Sequence, residues 1–210
     1  GGDQDLSDDI LHLVLARSGA KDDGVKGLSL FLTSKKAAGS TVTVTRIEEK
    51  MGLHGSPTCQ MAFDACQAEL IGEEGAGLSA MFVLMNHARL DVSLQGVALA
   101  GHAHRTARAY ASERKQGRRK DGTEAVLTDH ADVRRMLDEQ RSLEIGARTM
   151  AHVALVEMMR GDRPELVEFL TPLCKVFCTQ AGITSANLGI QILGGYGYLT
   201  EYGLAQTWAD

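Results

Sequence analysis

Hydrophobic residues recur with two different periods along this chain of 210 residues, and the switch falls at the glycine-rich stretch 72–77 (GEEGAG). Before it, Val42 and Val44 alternate with Thr41, Thr43 and Thr45, the period of two that a half-buried strand requires. Segments 10–17 (ILHLVLAR), 27–33 (GLSLFLT), 40–47 (STVTVTRI) and 58–71 are rich in β-branched or large apolar residues, and turn clusters at 21–24 (KDDG) and 37–40 (AAGS) lie between them. Both features mark short strands. After the switch, Leu90, Leu94, Val97 and Gly101 step by four, three and four, and Leu143, Ala147, Met150 and Ala154 repeat the stripe. That is the pattern of helices packed on one face. Strands that all precede the helices exclude an alternating α/β fold and predict an α+β chain, a mostly antiparallel sheet followed by a helical bundle.

The helices are predicted at about 78–114, 129–160 and 172–193, the last with Thr171 as N-cap and Pro172 at its first position. The polar stretch 115–123 reads as a loop between helices. A net charge of −5 argues against a general nucleic-acid binder, because phosphate contact needs a basic face. No apolar run approaches the ~18 residues of a membrane helix, and Gly1, Gly2, Asp3, Gln4 and Asp5 lack the parts of a signal peptide. A cytoplasmic protein with no membrane partner is expected. The four cysteines fit a reducing compartment. Cys174 and Cys178, four apart on a helix, read as buried thiols without a metal, since no His or Cys pair at zinc-site spacing accompanies them. The Gly-Gly start and the Trp208-Ala209-Asp210 end suggest a fragment.

Three clusters carry possible chemistry. Arg105, Arg108, Arg114, Lys115, Arg118, Arg119 and Lys120 place seven cations in sixteen residues of an acidic chain. Cations at a helix C-terminus are stabilised by its dipole, by ~0.3–1 kcal/mol each, yet Arg114 can also offer a planar fork of donors to a pyrophosphate. The stretch 191–198 (QILGGYGY) ends the last helix with three glycines in four positions, where bare backbone can approach a ligand. Arg89, within 85–90 (MNHARL), interrupts apolar surroundings, and a carboxylate partner is the default expectation for it. His54, without a Ser or Cys partner at recognisable spacing, reads as a loop histidine.

These stretches resemble the acyl-CoA dehydrogenase family of flavoproteins, over essentially the whole chain. The resemblance rests on 27–35 (GLSLFLTSK), 49–58 (EKMGLHGSPT), 70–72 with 75–78, 86–90 (NHARL), 111–117 (ASERKQG) and 191–202 (QILGGYGYLTEY), in the family's order. The MNHAR form and the segment around 127–143 resemble the subgroup containing methylthiopropanoyl-CoA and related bacterial dehydrogenases. The resemblance implies that residues 1–71 are the second half of the family's middle β-domain and 78–210 most of its C-terminal helical bundle. It also implies FAD, an acyl-CoA substrate oxidised to the trans-2-enoyl-CoA, electron transfer to an electron-transfer flavoprotein, and a homo-oligomer, tetramer or dimer.

By the same resemblance, Arg114 corresponds to the arginine that contacts the FAD pyrophosphate of a neighbouring subunit. Gln191, Gly194 and Gly195 correspond to the stretch that cradles the adenosine side of that flavin. The cationic patch and the glycine bend are expected from neighbouring polypeptides. Arg89 corresponds to the arginine beside the catalytic carboxylate, 25 residues before Arg114 along one helix. No catalytic base is assigned: the family's usual glutamate lies beyond the position of Asp210, and the alternative position holds Ala88. Asp91 is the nearest carboxylate, but two helical steps turn it about 200° from the Arg89 face. Ala209 stands where an arginine is common. These 210 residues alone are therefore expected to be inactive. The competing readings are a flavin oxidase or monooxygenase on the same scaffold and a non-catalytic helical assembly module.

Overall fold

The computed structural model describes residues 7–36 and 41–210. The turn expected at 37–40, Ser40 included, and the five residues from Gly1 to Asp5 lie outside the described residues. The chain divides into two compact units, Gly1–Met85 and Asn86–Asp210.

Among the described residues the first unit holds five strands, β1 (Leu11–Arg17), β2 (Leu28–Ser34), β3 (Thr41–Ile47), β4 (Cys59–Asp64) and β5 (Glu69–Ile71). All pairings are antiparallel: β2 sits between β1 and β5, and β3 pairs with β4. The single strand segment expected over 58–71 is two strands in different sheets. Ala65 is the reason, with φ of 47°, a left-handed conformation that extended backbone cannot pass through. His12 of β1 meets Phe63 of β4 edge to face, with centroids 5.5 Å apart. Ser29 is fully buried at the start of β2. Its Oγ accepts the Gly75 N–H at 2.8 Å and lies 2.6 Å from Ser18 Oγ, so the glycine-rich joint is tied to the central strand.

The long helices are α1 (Gly77–Glu113), α2 (Ala131–Arg160) and α3 (Pro164–Leu193), followed by tight turns over Gly194–Tyr198 and Thr200–Tyr202 and the short α4 (Leu204–Ala209). In the second unit their small side chains meet in three layers: Leu90 with Ala154 and Cys174; Val97 with Ala147, Ala151, Cys178 and Ala181; and Ala103, Ala107 and Ala111 with Leu137, Ala186 and Leu204. Numbers rise together along α1 and α3 and fall along α2. The bundle therefore runs up, down and up, with the C-terminal ends of α1 and α3 at the same end. Burial of leucines such as Leu90 and Leu204 contributes about 1.5–3 kcal/mol each. A Cβ at Gly96 would lie 2.3 Å from the Cys178 carbonyl oxygen, so glycine is what lets α1 cross α3 backbone to backbone.

Three expectations need correction. The stretch 115–123 is not a loop throughout: β6 (Lys115–Arg118) pairs antiparallel with β7 (Glu124–Val126), clasped by a 2.6 Å Lys115–Glu124 ion pair. α3 begins at Pro164, not Pro172. Pro164 takes the N-terminal place where a missing N–H costs nothing, while Pro172 sits mid-helix beside Thr171, whose hydroxyl donates to the Val167 carbonyl. Lastly, the stretch 164–198 is long and apolar enough to cross a membrane by length and composition, at mean hydropathy 1.2. The same helix lays Cys174, Cys178, Ala181 and Ala186 into the three-helix core, which accounts for the apolar content of that face.

Candidate functional site

Because α1 and α3 end together, residues from opposite parts of the sequence line one cavity of about 550 Å³ in the second unit. Arg114 stands just past the end of α1, its N–H bonded to the Tyr110 carbonyl at 2.9 Å. Gln191 closes α3, and Gly194 follows it with φ of 61°. Gly195 completes the turn. All four border the cavity. The cation and the glycine bend, expected from neighbouring polypeptides, border this one cavity within a single chain, brought together by the parallel run of α1 and α3.

The charge cluster separates into distinct roles. Lys115 is paired with Glu124, and Arg119 with Asp129 at 2.8 Å. The Val126 N–H and the Arg119 guanidinium hold the Asp129 carboxyl below the usual carboxylate range, so it stays charged and keeps Arg119 engaged. Arg118 donates to the Gly122 carbonyl at 3.1 Å. Among the described residues no carboxylate pairs with Arg114, and its donors remain available to an anion.

A substituent at Gly195 would meet nothing within 4 Å, and Gly195 has no positive φ. Neither packing nor backbone strain within the chain demands a glycine there. A ligand lying against the bend would. The rest of the wall is apolar and aromatic, with Leu127, Met136 and Tyr196 among its residues. Tyr196 clusters with Tyr110 and Tyr202, at centroid distances of 5.5–6.1 Å. Burial, then the Glu201 charge, push the Tyr202 phenol up, so it stays neutral. His130 Nε2 lies 3.0 Å from the Gln116 carbonyl oxygen; since a carbonyl only accepts, that nitrogen carries the proton. One cation, a bare glycine bend and a flat apolar wall suit the phosphate and base of a nucleotide.

Sequence reasoning missed Tyr110, Gln116, His130 and Tyr196 as cavity residues. Tyr110 precedes Arg114 by one helical turn, a usable signal; His130 has none, because only the β6–β7 ribbon brings it near. Arg89 lies half-buried far down α1, about 37 Å from Arg114 at 1.5 Å per residue, and donates to Asn86 Oδ1 at 3.1 Å. Ala88 and Asp91 are exposed, as is His54. Cys174 and Cys178 are free and fully buried, their thiols directed at the Met150 and Ala147 carbonyls. Burial pushes the Cys178 thiol up to about 11.

Residues 75–210 match the family model described as acyl-CoA dehydrogenase, C-terminal domain. The chain is 41% identical to 3-methylmercaptopropionyl-CoA dehydrogenase of Ruegeria pomeroyi, in an alignment covering 100% of this chain and 39% of that protein. It is 32% identical to a butyryl-CoA dehydrogenase of Syntrophomonas wolfei, with the same two coverages. The backbone superimposes on the butyryl-CoA dehydrogenase structure of Megasphaera elsdenii with a TM-score of 0.85 and 24% identity, covering 95% of this chain and 50% of that one, a likeness of fold. The chain thus spans 39% of the length of these two sequence relatives.

Proposed function

The chain belongs to the acyl-CoA dehydrogenase family, and from that premise we propose that the cavity at the shared end of α1 and α3 holds the ADP half of FAD. The observation that carries the reading is the convergence of Arg114, Gln191, Gly194 and Gly195 on one wall. Arg114 binds the pyrophosphate through its guanidinium fork. The Gly194–Gly195 bend lets the ribose and phosphate lie against backbone, and the apolar wall excludes water from the base. Lys115 and Arg119, held by Glu124 and Asp129, do not compete for the phosphates.

When bound, FAD supplies the two-electron acceptor for α,β-dehydrogenation of an acyl-CoA to its trans-2-enoyl-CoA. The proposal assigns no base within these residues. Ala88 has no side-chain oxygen, and Asp91 points to solvent on a different helical face from Arg89, so these 210 residues alone are inactive. Arg89, fixed by Asn86, is the positioning cation for a carboxylate supplied elsewhere in the whole protein. The 41% identity to the Ruegeria enzyme makes a 3-methylthiopropionyl thioester the first substrate to assay. An electron-transfer flavoprotein as acceptor, a homo-tetramer or homo-dimer, and a reducing cytoplasmic setting for the buried free thiols complete the proposal.

The test is flavin bound per chain. A hydrogen bond to a charged group contributes roughly 1.5–3 kcal/mol, so Arg114→Ala is expected to weaken FAD retention by about tenfold to a hundredfold. Gly195→Leu is expected to block FAD by filling the bend, with the circular dichroism of both variants unchanged. Normal flavin stoichiometry in both would refute the assignment.

A further inference from the structure

Arg108 and Arg141 are not absorbed by the flavin cavity. They line a second hollow of about 290 Å³ beside α2, together with His104, Thr128, Arg134 and Asp138. Three guanidiniums and one carboxylate line it, on a chain with a net charge of −5. Arg134 is anchored there, its Nη1 donating to the Thr128 and Asp129 carbonyls at 3.0 and 2.7 Å. Among the described residues Arg108 and Arg141 make no side-chain ion pair or hydrogen bond.

The second observation lies at the floor. His104 is 5% exposed, and both its ring nitrogens lack a hydrogen-bond partner in the described structure. Gln140 beside it directs its Nε2–H to the Ser185 carbonyl instead, at 2.7 Å. A buried imidazole with no partner is costly, and two unpaired guanidiniums above it add repulsion to any positive charge there. Glu144 on α2 acts the other way, although its carboxylate is also engaged by Arg148 at 2.7 Å. Burial, reinforced by Arg108 and Arg141, lowers the His104 pKa against the opposing pulls of Glu144 and of a side-chain contact with Gln140 that falls short of a well-formed hydrogen bond.

We propose that this hollow is a binding site for a small tetrahedral oxyanion of the phosphate class, held by Arg108 and Arg141 with His104 donating from below. An anion satisfies the unpaired guanidiniums, gives the imidazole N–H an acceptor, and offsets the repulsion that adds to burial in lowering the pKa of the ring. Binding is therefore accompanied by proton uptake at His104. The hollow shares no lining residue with the flavin cavity, whose α2 residues Val133 and Met136 stand at different angles around the helix from Arg134, Asp138 and Arg141.

The experiment measures thermal stabilisation of the protein by inorganic phosphate against chloride at equal ionic strength, in the Arg114→Ala background so that the flavin cavity does not contribute. A saturable shift is expected, weakened about tenfold or more by Arg141→Gln and by Arg108→Gln, and unchanged by Lys120→Gln. With sulfate, whose charge is constant in the range, affinity rises between about pH 8 and about pH 6, and His104→Gln abolishes the rise. Three results would overturn the site. One is no saturable shift beyond ionic strength; another is the same shift in the Arg141→Gln variant, an adventitious ion only. The third is a change of oligomeric state in Arg141→Gln, by sedimentation, without any phosphate effect, which gives the guanidiniums to an acidic group of a second copy. Loss of flavin binding in Arg114→Ala is read separately and bears only on the flavin cavity.

Discussion

The strand unit and the helical unit treat buried polar side chains differently. In the strand unit Ser29 and Thr33 are buried, and loops satisfy them: Ser29 accepts from Gly75, and Thr33 donates to the Gln67 carbonyl at 2.7 Å. In the helical unit the backbone bonds are spent inside the helices. Gln140 Oε1, Ser185 Oγ and both nitrogens of His104 are left without partners there. His12 Nε2 is the strand unit's one counterpart among the described residues. The lesson is that loops around a sheet bring spare N–H and C=O groups to buried side chains, whereas a bundle lends helix carbonyls to hydroxyls such as those of Ser93, Thr171 and Thr207 but almost no spare N–H. Unmet polar capacity thus gathers between helices, where ligands can meet it.

Three perturbations sharpen that contrast. The largest effect is expected at the helix crossing. Gly96→Val forces a branched side chain onto the Cys178 carbonyl and should cost about 3 kcal/mol or more. Hydrogen exchange should show faster opening of α1, α2 and α3 while β1 and β2 keep their protection; equal loss in both units would break the comparison. Next, Ser29→Ala removes the acceptor of the Gly75 N–H and should cost about 1–3 kcal/mol, read as faster exchange at Gly75 and along β2. If exchange is unchanged, the loop contact is not what satisfies the strand unit.

The smallest effect is an alkaline one, confined to the helical unit. The unfolded thiol of Cys178 titrates near 9.0, the folded one at about 11. A raised folded pKa means that the native state binds the proton more tightly, so stability is fully present below pH 9.0 and falls as pH rises toward about 11. Melting temperature against pH should bend downward in that window for the wild type and less so for Cys178→Ala. An identical bend in the variant would assign the loss to other groups.

Much of this architecture is legible along the chain because it depends on local periodicity. The stripes Leu90–Leu94–Val97–Gly101 and Leu143–Ala147–Met150–Ala154 lie on the packed faces of α1 and α2, and the Val42–Val44 alternation is β3. Where local signals compete, the reading fails. Pro172 resembles a helix start as strongly as Pro164, and only the packing of Thr171 and Cys174 carries the helix through it. The polar stretch 115–123 has no strand periodicity; ion pairing with Glu124 and the turn make it a ribbon. Ala65 gives no sign of left-handed backbone.

The sequence by itself determined the order of sheet before bundle, the faces of the helices, and the kinds of residue, a cation and a bare glycine bend, that a dinucleotide demands. Those depend on side-chain chemistry and on periods of two and 3.6, which neighbours along the chain already contain. Only the tertiary structure decided that Arg114 and Gly194 share a wall on one chain, and that Arg108, Arg141 and His104 surround another hollow. Such meetings depend on which helices run parallel and how closely they cross. The small residues of α1 and α3 permit that approach, but its direction is fixed only when three helices bury one core together.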